Sequence, residues 1–118
     1  MGDISKNFSR YEFACKCGCG FDTVDAELLE VIQDLRDHYN KSITITSGCR
    51  CFTHNKNEGG SDNSQHLQAK AVDFMIDSTP ADEVNEYLEE KYPDKYGVGR
   101  YHNRNHLDVR STRVRYVK

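Results

Sequence analysis

Ser64-Gln-His-Leu-Gln-Ala-Lys-Ala-Val-Asp73 joins a polar loop to an alternating apolar segment, and His106-Leu-Asp108 follows far downstream. Ala71 to Ile76 reads as a strand with Val72, Phe74 and Ile76 on one face, so Asp73 projects from the other with Ala71 and Met75. His66 leaves the loop just before that strand, and His106 opens a later one. A single helical face cannot present His66 and Asp73, because a strand already occupies the second position. Presentation from loop and strand can, and a strand starting at His106 and pairing near Asp73 brings a third donor to the same sheet. Two imidazoles and a carboxylate are the set a tetrahedral catalytic zinc uses when one corner is left for water. Oxygen-loving magnesium or calcium would want an all-oxygen cage instead.

Upstream, Ile43-Thr-Ile-Thr46 alternates and is β-branched throughout, which predicts a half-buried strand. Before it, Leu28, Leu29, Ile32 and Leu35 recur at helical spacing from Asp25 to about Tyr39, with Asp25 as N-cap and Asn40 as the stop. Phe8 to Phe13 reads as a short helical lead-in capped by Ser9. Thr79-Pro80 predicts an N-cap and first helical position for a helix running to about Glu90 that buries Val84, Tyr87 and Leu88. Gly97 to Tyr101 and His106 to Arg110 form a hairpin around the link His102 to Asn105, and Arg113 to Val117 adds a last strand. Ser47 to Asn63 is left as a long polar connection, a length associated with function in small domains. The pattern is α+β: a single small domain over residues 1–118, mainly antiparallel sheet with two to three helices.

Composition narrows the partners. The chain has 118 residues, 36% hydrophobic and 30% charged, with a formal net charge of −3. Mixed signs at that net charge argue against a nucleic-acid surface. No apolar run reaches the roughly 18 residues of a membrane span, and the first residues show no apolar leader core. Synthesis in the cytosol without a leader of its own, as a monomer, is therefore expected. Arg110, Arg113, Arg115 and Lys118 read as the solvent face of the last strand. Five cysteines fall in two knots, Cys15, Cys17 and Cys19, then Cys49 and Cys51. A second, structural zinc, disulfides formed after release, and free buried thiols all fit that spacing. His38 and His54 read as surface residues, although His54 lies near Cys51 and could join a second metal site.

The segment from residue 46 to 73 closely resembles the zinc D-Ala-D-Ala carboxypeptidase family of the hedgehog/DD-peptidase fold, whose members include murein peptidases and phage endolysins. The family pattern falls on Ser47, Gly48, Arg50, Asn55, Gly59, Gly60, Ser64, His66, Ala71 and Asp73. One departure is Ala69, where the family has glycine; the methyl is tolerable only if that position does not require positive φ. The resemblance implies a hedgehog/DD-peptidase-like fold and zinc held by His66, Asp73 and His106. It further implies that Arg50 pairs with a substrate carboxylate or a developing oxyanion. Ser64 either bonds substrate or caps the turn before His66. Related peptidases often place Glu three residues, or His two residues, before the last ligand; here Asn103 and Arg104 stand there. His102 is then the nearest general base, and Asp108 either shuttles protons or orients a ligand imidazole. The implied activity is hydrolysis of a peptide bond in the peptidoglycan stem or cross-link by an endolysin-like zinc peptidase, acting on the wall after release. The alternative is an inactive zinc-stabilised module that binds the cell wall or a protein.

Overall fold

A computed structural model describes residues 2–101 and 103–117. His102, expected as a general base, lies outside them, as does Lys118. Strands β1 (Ile43–Ser47), β2 (Ala71–Ile76), β3 (Gly97–Tyr101), β4 (Arg104–Asp108) and β5 (Val114–Val117) form one sheet in the order β1-β2-β4-β3-β5. The first three pairings are antiparallel, and β5 joins β3 in parallel. With helices α1 (Ala26–Tyr39), α2 (Phe52–Asn57) and α3 (Ala81–Lys91), this is the expected α+β arrangement.

One face of the sheet supplies the core. Ile43, Ile45, Val72, Phe74, Val98 and Leu107 cluster with Leu28, Val31, Ile32 and Leu35 of α1 and with Val84 and Leu88 of α3. Each such side chain contributes about 1.5–3 kcal/mol on leaving water. The ends of α1 follow the sequence. Asp25 accepts from the backbone N–H groups of Glu27 and Leu28, and Asn40 closes the helix in the left-handed region at φ 52°. Ser9 leads a 3₁₀ turn over Arg10–Phe13, with its N–H donating to Glu12 Oε2 at 2.7 Å.

Four expectations need correction. The connection after β1 is not irregular throughout: it contains α2, which has no apolar periodicity to announce it and hangs on the buried Asn55. Thr79 does not cap α3; its hydroxyl donates to the Asp77 carbonyl at 3.0 Å, and Pro80 is the residue before the first turn. Strand β4 starts at Arg104, because pairing with β3 continues to the Tyr101–Arg104 pair and leaves only positions 102 and 103 between the strands. The late arginines are not the plain solvent face of the last strand; of the three, only Arg115 lies on β5. Arg110 grips the buried Asp108, Arg113 and Arg115 both bond Glu89 of α3, and Arg115 also donates to the carbonyls of Tyr92, Lys95, Tyr96 and Val114. Guanidinium groups with many donors fasten the late strand to α3 and the loop before β3.

Candidate metal centre

The polar face of the sheet is organised by register. Asp73 on β2 pairs directly with His106 on β4, Ala71 pairs with Asp108, and Gly97 pairs with Asp108 from the other side. Directly opposed residues of an antiparallel pair keep their Cβ atoms about 5 Å apart, so Asp73 and His106 must meet. Glycine at 97 makes room for the second carboxylate: a Cβ there would lie 2.3 Å from Asp108 Oδ2.

His66 arrives by another route. It sits in a 3₁₀ turn, Gln65–Gln68, whose first N–H groups need acceptors, and Ser64 Oγ accepts from His66 N at 3.2 Å. Of the two roles open to Ser64, this geometry displays the capping one. The turn ends at Ala69 in the left-handed region, φ 58°. The condition set by the sequence, that a methyl fits only without positive φ, is thus not met: alanine adopts the strained conformation, held by bonds from its N–H to the Gln65 and His66 carbonyls and by burial against Cys15 and Cys49.

Segment 47–50 closes the third side. Between Ile45 and Ser47 the pairing with β2 slips by one residue, a bulge at Thr46 that brings Ser47 opposite Asp73. Ser47 Oγ then accepts from Arg50 Nε at 2.9 Å, Asn55 Oδ1 accepts from Arg50 NH1 at 3.3 Å, and Asp73 Oδ2 accepts from Arg50 NH2 at 3.2 Å. Asn55, fully buried, also donates to the Ser61 carbonyl at 2.8 Å, so it is a strut between Arg50 and the Gly59-Gly60 turn.

The resulting donor set is tight. One atom each from His66, Asp73 and His106 lies within 4.8 Å of the others, and all three residues are buried. His66 Nδ1 is 2.6 Å from the Gly48 carbonyl, which can only accept, so Nδ1 carries a proton; Nε2 faces Asp73 Oδ2 at 3.3 Å. His106 Nε2 lies 2.8 Å from Asp108 Oδ2 and Nδ1 lies 2.8 Å from Asp73 Oδ1. A 3.3 Å edge is close to the roughly 3.3 Å separation of nitrogen and oxygen ligands on a tetrahedral zinc.

Burial by itself would raise the pKa of Asp73, yet hydrogen bonds from His106 and His66 and their charge hold it well below the usual carboxylate range. Burial likewise works against ionisation of Asp108, and His106 and Arg110 overcome it, keeping that carboxyl ionised too. Desolvation pushes the His106 pKa down, but the two flanking carboxylates push harder and raise it. Asp108 is fully buried and receives Arg110 Nε and NH2, each at 2.7 Å, and the Gly97 N–H at 3.1 Å. The two carboxylates are thus matched by the guanidiniums of Arg50 and Arg110, so a cation between the imidazoles would keep its charge largely unneutralised.

His38 stacks on Tyr87 with ring centroids 4.0 Å apart, and His54 lies 3.9 Å from Glu58; neither belongs to this donor set. Three participants were not singled out from the sequence as parts of the site: the Gly48 carbonyl, the Arg110 clamp on Asp108, and Tyr116, whose ring lies 5.7 Å from that of His106. Only the Gly-x-Gly spacing at 97–99 hinted at crowding there, since a Cβ at Gly99 would lie 2.3 Å from the Tyr116 ring.

The model of the Peptidase M15 family matches residues 6–108, nearly the whole chain, and the chain belongs to that family. No curated protein matches it. The match ends at Asp108, so Arg110 and Tyr116, which complete the surroundings of His106, lie beyond it.

Proposed function

We propose that this chain is a zinc metallopeptidase that hydrolyses a peptide bond in bacterial peptidoglycan, in the stem peptide or a cross-link, working on the wall after release from the cell that makes it. The observation that carries this reading is the pairing of ring nitrogens: Gly48 and Asp108 each take one, leaving His66 Nε2 and His106 Nδ1 directed at Asp73. A ligand imidazole held by a carbonyl or carboxylate through its other nitrogen is how metal sites fix tautomer and basicity. Zinc held by His66, Asp73 and His106 supplies Lewis acidity, which polarises a carbonyl and lowers the pKa of a water to about 7.

The remaining roles belong to the chain. Asp108 orients His106 and makes it more basic; Arg110 keeps Asp108 ionised. Arg50 has five N–H donors, three of which hold Ser47, Asn55 and Asp73; the other two serve a substrate carboxylate or the charge that develops on the carbonyl oxygen. His102 accepts the proton of the attacking water and returns it to the departing amine. Ser64 positions His66.

The test is to incubate zinc-loaded protein with purified murein, measure new amino groups, and identify released muropeptides by mass spectrometry. New amines that vanish in His66→Ala support the assignment, and the fragment masses name the bond. Full zinc occupancy without product would overturn it in favour of a binding module.

A further inference from the structure

A second cluster of donors lies outside that site. The Sγ atoms of Cys15, Cys17, Cys19 and Cys51 all lie within 4.8 Å of one another, with Cys15–Cys17 at 3.4 Å and Cys17–Cys51 at 3.6 Å. Four sulfurs around a tetrahedral zinc at about 2.3 Å stand roughly 3.8 Å apart, so the observed spacing is that of a metal–thiolate cage and far longer than a disulfide bond of about 2.05 Å. All five cysteines are free. The fifth, Cys49, is outside the cluster, with its sulfur on the Phe13 and Phe21 carbonyls at 3.2 and 3.1 Å. Backbone N–H groups also point at the clustered sulfurs: Cys51 N at Cys15 Sγ and His54 N at Cys51 Sγ, both at 3.4 Å.

We infer that Cys15, Cys17, Cys19 and Cys51 hold a structural zinc ion that clamps the 15–21 loop to segment 47–51. The loop needs such a clamp. Residues 16–20 are exposed, and the apolar patch beneath them has only Cys15, Cys49 and Ala69 as its buried members, too little to order a loop by burial. Gly18 and Gly20, at φ 82° and 92°, let the chain double back so that alternate cysteines converge. Four sulfurs fill the tetrahedron, so this ion takes no substrate. Its service is positional: Cys51 adjoins Arg50, and Ala69, at the end of the His66 turn, packs on Cys15 and Cys49.

The experiment uses full-length His66→Ala protein, in which only the cysteine site is intact. It should retain about one zinc per chain, and its cobalt-substituted form should show an intense sulfur-to-cobalt charge-transfer band with tetrahedral d–d bands. Both signals should disappear in the added Cys17→Ser, Cys19→Ser pair and persist with Cys49→Ser. Should the cysteine pair variant fail to fold, titration of the His66→Ala parent with a mercurial decides: zinc must be released in step with four thiols. A His66→Ala protein without metal and with five reactive thiols would overturn the inference, as would an intact mass showing a disulfide within the cluster. None of these readouts depends on murein hydrolysis.

Discussion

The two donor clusters lie on either side of Arg50, which bonds Asp73 of one and adjoins Cys51 of the other, and they differ in burial and in what holds their donors. His66, Asp73 and His106 are buried, rest on adjacent strands and a short turn, and have their orientation fixed by Gly48, Asp108 and Arg50. Cys17 and Cys19 are exposed on a glycine-rich loop, and sulfur meets sulfur with little behind it. Three oriented donors leave a corner for chemistry, whereas four sulfurs close the shell. One cluster is built by the sheet; the other builds the loop it sits in. The lesson is that rigidity runs in opposite directions through the two sites.

Five variants break or sharpen that contrast. His66→Ala should lower kcat/KM on murein by on the order of 10³-fold, the loss of several kcal/mol of charge stabilisation, while the thermal midpoint moves little. Cys17→Ser should show the opposite balance, a midpoint drop of roughly 5 °C with a loss of activity per folded molecule far smaller than that of His66→Ala; equal behaviour of the two variants would erase the distinction.

Asp108→Asn comes next, at about 3 kcal/mol of stability, because it unpairs Arg110 and His106 in a buried setting. The folded pKa of Asp108 lies below its unfolded value near 3.9. Its contribution is therefore present above that value and is lost as pH falls through it toward the folded pKa. Urea midpoints should show a constant gap between wild type and variant above about pH 5, closing below about pH 4. A gap independent of pH would mean that the ionised carboxylate is not what stabilises.

Arg50→Lys should cost about 10–100-fold in activity, since a point charge cannot hold Ser47, Asn55 and Asp73 together and still face substrate. A rise in KM alone would place Arg50 on the substrate carboxylate, and a fall in kcat on the developing oxyanion. The smallest effect belongs to Ala69→Gly. Relief of about 1–2 kcal/mol of left-handed strain is offset by unfolded-state entropy and the lost buried methyl, leaving a net change within about 0.5 kcal/mol in a denaturation midpoint.

Particular elements show how much was legible beforehand. The α1 stripe, its Asp25 cap and the alternation in β1 and β2 were plain because local periodicity and capping are encoded within a few residues. Helix α2 was not, since six residues with an exposed Phe52 and one buried Asn55 carry no amphipathic signal. The left-handed Ala69 broke a rule that the sequence could state but not evaluate, because the turn around it decides φ.

By itself the chain determined the donor chemistry: which imidazoles, carboxylates and thiols exist, and which face of its strand Asp73, His106 and Asp108 each occupy, because side chains alternate with period two. Tertiary structure alone decided which of those donors meet. The slip at Thr46, the Asp73–His106 register, the Gly48 carbonyl on His66 and the gathering of Cys51 with the early cysteines join positions as many as 36 residues apart. Contacts over such separations follow from the closure of the sheet and core as a whole, and no window of local sequence contains that information.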